Sequence, residues 1–250
     1  MALLEGKVAI VTGAGSGFGE GIARLYADEG ARVLLADIDA ASGHRIAAEL
    51  GERARFARCD VADGAQVRAL VGACVDAFGA PDIVVNNAGT THRNQPMLDV
   101  DEATFDRVYA VNVKSIFHMA HAVVPLMRKR QGGVFINIGS TAGIRPRPGL
   151  TWYNGSKAAV NLLSKSMAVE LGPDNIRVNA ICPVMGATGM LDLFMGVPDT
   201  PENRARFIAT IPLGRMSQPA DVAAAALWLA SDAARFITGI ELPVDGGRTV

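Results

Sequence analysis

The chain has little of what marks several common classes of protein. Only three of its 250 residues are cysteine. Cys59, Cys74 and Cys182 are odd in number and widely spaced, with no metal-ligand pattern around them, so reduced thiols are expected rather than a disulfide framework. The four histidines, His44, His92, His118 and His121, form neither an H-x-x-x-H nor an HExxH arrangement, and no metal site is expected. No apolar run reaches the roughly 18 residues of a membrane-spanning helix. The start, "MALLEGKVAIVTG", lacks a charged segment followed by a long apolar one, so the sequence reads as cytoplasmic, with no membrane partner. An excess of one charge is also missing. A formal net charge of −1 argues against nonspecific nucleic-acid or membrane-surface binding, which needs clustered positive charge. Internal repeats, low-complexity tracts and linkers are absent, so residues 1–250 read as one domain.

What is present is the profile of a soluble α/β protein: half the residues are hydrophobic, 27 are glycine and a fifth are charged. Short β-branched runs alternate with segments of helical period from end to end, the pattern of βαβ units and a parallel sheet. The runs "KVAIVTG", "RVLLAD", "RFARCDV", "DIVVNNAG", "GVFINIGS", "IRVNAICP" and "GIELPVDGG" predict seven strands. Helices are predicted to open near Gly17, Ala40, Asp63, Asp101, Thr151 and Gln218. An open doubly wound sheet collects ligands outside the carboxyl ends of its strands, so the informative residues are those just after each run.

After the first run comes "TGAGSGFGEGIA". Its spacing from Gly13 through Gly17 to Gly19, Gly-x-x-x-Gly-x-Gly, lets backbone N–H groups approach a pyrophosphate at a helix N-terminus. Eighteen residues beyond Gly19, Asp37 ends the second strand, where a carboxylate accepts hydrogen bonds from ribose hydroxyls and repels a 2′-phosphate. Neither Ser16 nor Ile38 is a cation, so NAD is expected over NADP. Asp39 is better placed than Asp37 to cap the next helix. Asp60 reads either as a partner for the adenine amino group or as a cap for the helix near Asp63.

"TGAGSGFG", "CDV", "NNAG" at 86–89, "VNV" around Asn112, Ser140, "YNGSK" and "RVNAICP" together resemble the short-chain dehydrogenase/reductase family, in order and approximate spacing, over nearly the whole chain. The resemblance implies a single Rossmann-like domain: a doubly wound, seven-stranded parallel sheet with helices on both faces, moving hydride between NAD and an alcohol or carbonyl. It implies Tyr153 as acid/base, Lys157 one turn away lowering the phenol's pKa and gripping the nicotinamide ribose, and Ser140 donating to the substrate oxygen. Asn112, inside the helix opening near Asp101, would hold a water linking Lys157 to solvent. Cofactor contacts are implied for Ser16, Phe18, Val61, Asn87, Ala88 and Gly89, with Asn86 beside them. Where the family usually has Pro-Gly, this chain has Pro183-Val184; Val184 keeps a backbone N–H for the carboxamide, and Thr188 would touch the nicotinamide. A homotetramer is implied, with the helices from Asp101 and Thr151 packing across a two-fold axis.

Residues beside the reactive centre are expected to be His92, Arg93, Arg145, Arg147, Trp152, Met185 and Phe194, with a long apolar lid over 184–214. The arginines fit an organic anion or are solvated loop residues. Short stretches such as "TTHRN" and "PGLTWY" are similar to the aromatic alcohol and aldehyde, sulfobenzyl-like branch of the family. The alternatives are a 3-oxoacyl-carrier-protein reductase, with Arg128-Lys129-Arg130 docking an acidic carrier, and an NAD-sensing scaffold without turnover.

Overall fold

Each strand sends its side chains alternately to two buried layers, which is why the apolar runs are nearly continuous. A computed structural model of the chain describes residues 2–186 and 191–250. In β1 (Val8–Thr12), Val8 and Ile10 join one layer while Ala9 and Val11 join the other. β2 (Arg32–Asp37) divides Leu34 and Ala36 from Val33 and Leu35 in the same way. With β3 (Ala54–Arg58), β4 (Ile83–Asn86), β5 (Gly133–Ile138), β6 (Ile176–Pro183) and β7 (Glu241–Val244) they form a seven-stranded sheet in the order β3-β2-β1-β4-β5-β6-β7. All of its pairings are parallel.

α1 (Gly17–Asp28) and α2 (Ala40–Leu50) bury Ile22, Tyr26 and Ile46 on one face. α3 (Gly64–Phe78) covers the other face with Val67 and Leu70. α4 (Glu102–Tyr109) passes through a π-helical turn, Ala110–Lys114, into α5 (Ser115–Arg130), whose Met119, Val123 and Met127 lie on the α3 side. α6 (Thr151–Leu171) adds Ala168 and Leu171 there. After the short helices α7 (Leu191–Met195) and α8 (Pro201–Ile208), α9 (Pro219–Ala230) returns Val222 and Ala226 to the α1 face.

The seven strands and six helix starts fall where the sequence places them. Asp39, Asp63 and Asp101 each cap a helix, accepting from backbone N–H groups of the first turn. Two features depart from expectation. The helix from Asp101 is interrupted by the π turn, and segment 184–214 contains α7 and α8.

The winding reverses between β1 and β4, and there the strand ends are knotted together. Thr12 Oγ1 donates to the Val85 carbonyl at 3.3 Å and accepts from the N–H groups of Asn87 at 3.0 Å and Ala88 at 3.1 Å. Asn87 Nδ2 returns bonds to the carbonyls of Thr12 at 2.9 Å and Gly13 at 3.0 Å. Gly13 has φ +63°, open to glycine with no steric penalty. Gly19 is required for a different reason: a Cβ there would stand 2.0 Å from the Gly13 carbonyl oxygen.

Gly19→Ala therefore forces α1 away from β1 and should lower the unfolding free energy by about 1–3 kcal/mol. Gly72→Ala, on the exposed side of α3 where a Cβ meets nothing within 4 Å, should raise it by roughly 0.5–1 kcal/mol. Urea denaturation of both variants checks the contrast; equal effects would disprove the packing role of Gly19.

Candidate active site

A cavity of about 620 Å³ opens at the carboxyl edge of the sheet, running from Asp37 and Asp60 past Tyr153 to α8 and the C-terminal segment. At its first end, Asp37 Oδ2 accepts from Gly15 N–H at 2.8 Å and Oδ1 from Asp39 N–H at 2.9 Å, so the carboxylate is fixed in place. Ile38 beside it is 51% exposed and carries no charge. The entry to α1 differs from those of α2, α3 and α4, because Ser16 makes no side-chain cap bond. Gly17 and Phe18, which open that helix, line the cavity together with Gly13 and Ser16. Uncapped N–H groups at a positive helix end beside a fixed carboxylate fit a dinucleotide.

Val61, Asn87, Ala88, Gly89, Pro183 and Val184 also line this cavity. Gly19 does not; it packs behind the loop. Asn86 is turned away, donating to Asn137 Oδ1 at 2.8 Å within the sheet. The capping alternative for Asp60 falls to Asp63, and Asp60 instead pairs with Arg107 at 3.0 Å while accepting from Ala62 N–H. The Val184 N–H, expected to be free for a carboxamide, donates to the Val244 carbonyl at 3.2 Å, because the backbone after β6 continues alongside β7. Thr188 and the lid residue Met190 lie outside the described residues.

The first turns of α6 place Tyr153 and Lys157 on one face, both buried. Lys157 Nζ donates to the Ile138 carbonyl at 2.8 Å and lies 5.9 Å from the Tyr153 ring centre. Ser140, with its Oγ accepting from Ala142 N–H at 3.0 Å, lines the cavity beside Tyr153. Burial pushes the phenol up to about 12, and the neighbouring Ser140 hydroxyl and the Arg147 charge only partly offset it. Burial brings the Lys157 ammonium down to about 8. Without the cofactor's charge, desolvation is the dominant influence on the phenol.

Asn112 sits in the π turn rather than in a regular helix. Its Nδ2 donates to the Thr90 carbonyl and to Ser156 Oγ, both at 2.9 Å, and its Oδ1 accepts from Thr90 N–H at 2.8 Å. Through these bonds the side chain ties the post-β4 loop to α6. A Cβ at Gly89 would make ordinary van der Waals contact, at 3.4 Å, with Asn112 Oδ1 and Lys157 Nζ, which places this glycine directly beside both groups.

Of the residues expected around substrate, Arg145, Arg147, Met185 and Phe194 line the cavity. Phe194 meets the Tyr153 ring edge-on at 5.0 Å, and the Arg147 guanidinium lies 4.6 Å from the Phe207 ring centre. His92, Arg93 and Trp152 do not line it. His92 is buried with Nδ1 on the Arg93 carbonyl, Arg93 is exposed, and Trp152 donates its indole N–H to the Met97 carbonyl at 3.1 Å. Arg206, Phe207 and Thr210 of the α8 region, and Arg248 and Thr249 after β7, line the cavity as well. The rule that strand ends carry the site could have found the last two, since "DGGRTV" directly follows a strand.

A family model described as enoyl-(acyl carrier protein) reductase matches residues 13–249. A 4-formylbenzenesulfonate dehydrogenase of Comamonas testosteroni is 51% identical over 250 residues, covering 99% of this chain and 99% of that protein. The chain belongs to the short-chain dehydrogenase/reductase family. A 7alpha-hydroxysteroid dehydrogenase of Escherichia coli (strain K12) is 40% identical over 247 residues, covering 98% and 94% of the two chains. Among solved structures, a 3-ketoacyl-(acyl-carrier-protein) reductase from Brucella melitensis complexed with NADH superposes with a TM-score of 0.94 at 43% identity, covering 99% of this chain and 100% of that one. As a short-chain dehydrogenase/reductase, the chain is an alcohol/carbonyl oxidoreductase.

The depressed Lys157 makes stability pH-dependent with a definite sign. Between about pH 8 and the ordinary 10.5, the folded chain has released this proton while the unfolded chain keeps it, so stability rises with pH across that window and the full penalty stands below it. The unfolding free energy of the cofactor-free protein minus that of Lys157→Met should therefore increase from pH 8 to 10.5, by on the order of 3 kcal/mol. A difference independent of pH would show that Lys157 is not held in its neutral-favouring site.

Proposed function

We propose that the enzyme transfers hydride between NAD(H) and an alcohol or carbonyl, with Tyr153 as the acid/base. The observation that carries this reading is the buried convergence of Ser140, Tyr153 and Lys157 on one cavity whose far end holds Asp37. The bound dinucleotide supplies the hydride site and, when oxidised, a positive charge. Ser140 holds the substrate oxygen. Tyr153 takes the hydroxyl proton in oxidation and returns it to the carbonyl oxygen in reduction. With only the chain's own groups present the phenol stays protonated, which readies it as an acid; its use as a base needs the added positive charge of the oxidised cofactor. Lys157 grips the nicotinamide ribose, and Asp37 selects against a 2′-phosphate. Gly13, Ser16, Gly17 and Phe18 cradle the phosphates.

For the substrate, an aromatic alcohol or aldehyde is the reading best supported. Phe194, Phe207, Met185 and Leu150 supply apolar walls around Tyr153, and the benzaldehyde-type relative stands at 51% identity against 39% for a 3-oxoacyl-[acyl-carrier-protein] reductase of Chlamydia muridarum. The carrier-docking alternative loses force because Arg128 pairs with Asp174 and Arg130 with Asp82. The scaffold alternative has no support in an intact Ser140, Tyr153 and Lys157. α7 and α8, within 184–214, serve as the lid over the substrate end.

The enzyme works in the cytoplasm as a homotetramer. Its three cysteines are buried free thiols, and no described helix is long and apolar enough to cross a membrane. Phe117 on α5 and Leu162 and Val169 on α6 leave an exposed apolar face, and Phe236 near β7 is 99% exposed.

Tyr153→Phe should abolish the rise in reduced-nicotinamide absorbance with every alcohol while calorimetric binding of NAD persists; near-native turnover would remove Tyr153 from the mechanism. Light scattering on the purified protein should give four times the 26.2 kDa chain mass, and a monomer mass would overturn the assembly.

A further inference from the structure

The charges lining the cavity are unevenly balanced. Among the described residues its only carboxylates are Asp37 and Asp60, with Arg107 beside them paired to Asp60 at 3.0 Å, whereas Arg145, Arg147, Arg206 and Arg248 line the opposite end without a carboxylate. None of these four makes an ion pair among the described residues, whereas seven other arginines do.

Arg147 is the most enclosed of the four. Its guanidinium stacks on Phe207, at 4.6 Å, and touches Met185 Sδ at 3.8 Å, neither of which neutralises it. Burial and the nearby Arg248 charge both work against its protonated form. Its backbone is held from the catalytic helix: Asn154, next to Tyr153, donates Nδ2 to the Arg147 carbonyl at 2.8 Å. Arg248 is positioned just as firmly. Buried Asp245 accepts from Gly247 N–H at 2.9 Å and from Thr249 N–H at 2.8 Å, closing the turn after β7. Arg145 then donates Nη1 to the Arg248 carbonyl at 3.0 Å. Arg145 is thus a buttress for the tail, and its guanidinium is partly spent on that bond.

Two guanidinium groups of like charge, one of them desolvated, are fixed near each other beside Tyr153 with no counter-ion from the chain. Such an arrangement is unfavourable until an anion arrives, and guanidinium groups bind carboxylate or sulfonate oxygens in a planar, two-pronged geometry. The cofactor's phosphates do not serve, since their cradle at α1 lies at the other end of the cavity.

We propose that Arg147 and Arg248 form an oxyanion receptor that makes the enzyme specific for aromatic alcohols or aldehydes bearing a fixed carboxylate or sulfonate on the ring, away from the reacting carbon. Arg147 is the specificity-determining residue and the C-terminal turn is part of the substrate site. This rests on the hydride-transfer reading above and adds the substrate's charge to it.

The test compares 4-(hydroxymethyl)benzoate and 4-(hydroxymethyl)benzenesulfonate with benzyl alcohol as substrates, NAD in excess, for wild type, Arg147→Met, Arg147→Lys and Arg248→Met. Wild type should favour both anions over benzyl alcohol at least tenfold in kcat/KM, chiefly through KM. Arg147→Met should bring that ratio below about two, Arg147→Lys should restore part of it, and Arg248→Met should reduce it severalfold, with KM for NAD unchanged as the folding control. A ratio that survives Arg147→Met, or a wild type that prefers the neutral alcohol or turns over a 3-oxoacyl carrier protein faster than the anions, overturns the receptor while leaving hydride transfer standing. If no alcohol reduces NAD, the functional reading fails separately, and the receptor is then judged by calorimetry of benzenesulfonate with NADH-loaded enzyme: equal binding by wild type and Arg147→Met refutes it.

Discussion

The knot between Thr12 and Asn87 is the constraint on which the site depends. A parallel sheet wound in two directions must diverge somewhere, and at the divergence the strand ends lose a covering crossover on one side. Left alone, that gap would expose unpaired backbone groups of β1 and β4. One hydroxyl and one amide satisfy five of them, through the Val85, Thr12 and Gly13 carbonyls and the Asn87 and Ala88 N–H groups. Because both side chains are short, the two strand ends are held in fixed relation, and so are the phosphate loop that follows one and the Ala88-Gly89 segment that follows the other. A cofactor bound across both would therefore meet a site already formed, with little ordering left to oppose binding.

Held in that frame, the catalytic groups sit where their charged forms are disfavoured. Burial, the largest cause at each, moves Tyr153 and Lys157 in opposite directions, to about 12 and about 8. In their ordinary ranges the two groups would lie close together near pH 10; inside the fold the amine becomes the easier of the two to deprotonate and the phenol the harder. A phenol so placed does not act as a stray base toward water. It becomes basic only when positive charge enters the cavity beside it, so proton removal is coupled to the presence of the group that accepts the hydride.

The sequence carried the sheet and the cofactor end well, because there the physics is local. Continuous apolar runs mark strands buried on both faces, aspartates at 39, 63 and 101 mark helix starts within a residue or two, and Asp37 and the glycine loop lie at strand ends. What stayed hidden depends on tertiary partners. Nothing in "VYAVNVKSIF" signals a π turn, which arises where Asn112 reaches Thr90 and Ser156 at once. The capture of the Val184 N–H follows from a strand more than fifty residues later in the chain. His92 and Trp152 sat at plausible positions, yet His92 Nδ1 is bonded to the Arg93 carbonyl, and Trp152 gives its indole N–H to the Met97 carbonyl and packs edge-on against Phe105. Arg248 was legible as a residue just after a strand end, since "DGGRTV" follows β7 directly.

The cavity is built in two ways. The wall near Asp37 comes from sheet edges and helix starts locked by backbone bonds, whereas the opposite wall is built from the 144–150 loop, α7, α8 and the post-β7 turn, joined to the frame by bonds such as Asn154 to Arg147 and Asn94 to the Pro148 and Phe194 carbonyls. Exchanging an arginine there for an apolar residue changes the charge the substrate must carry without moving Ser140, Tyr153 or Lys157. The reverse does not hold. A substitution at Thr12, Gly13 or Asn87 disturbs the strand ends themselves, so it would reach both halves of the cavity at once.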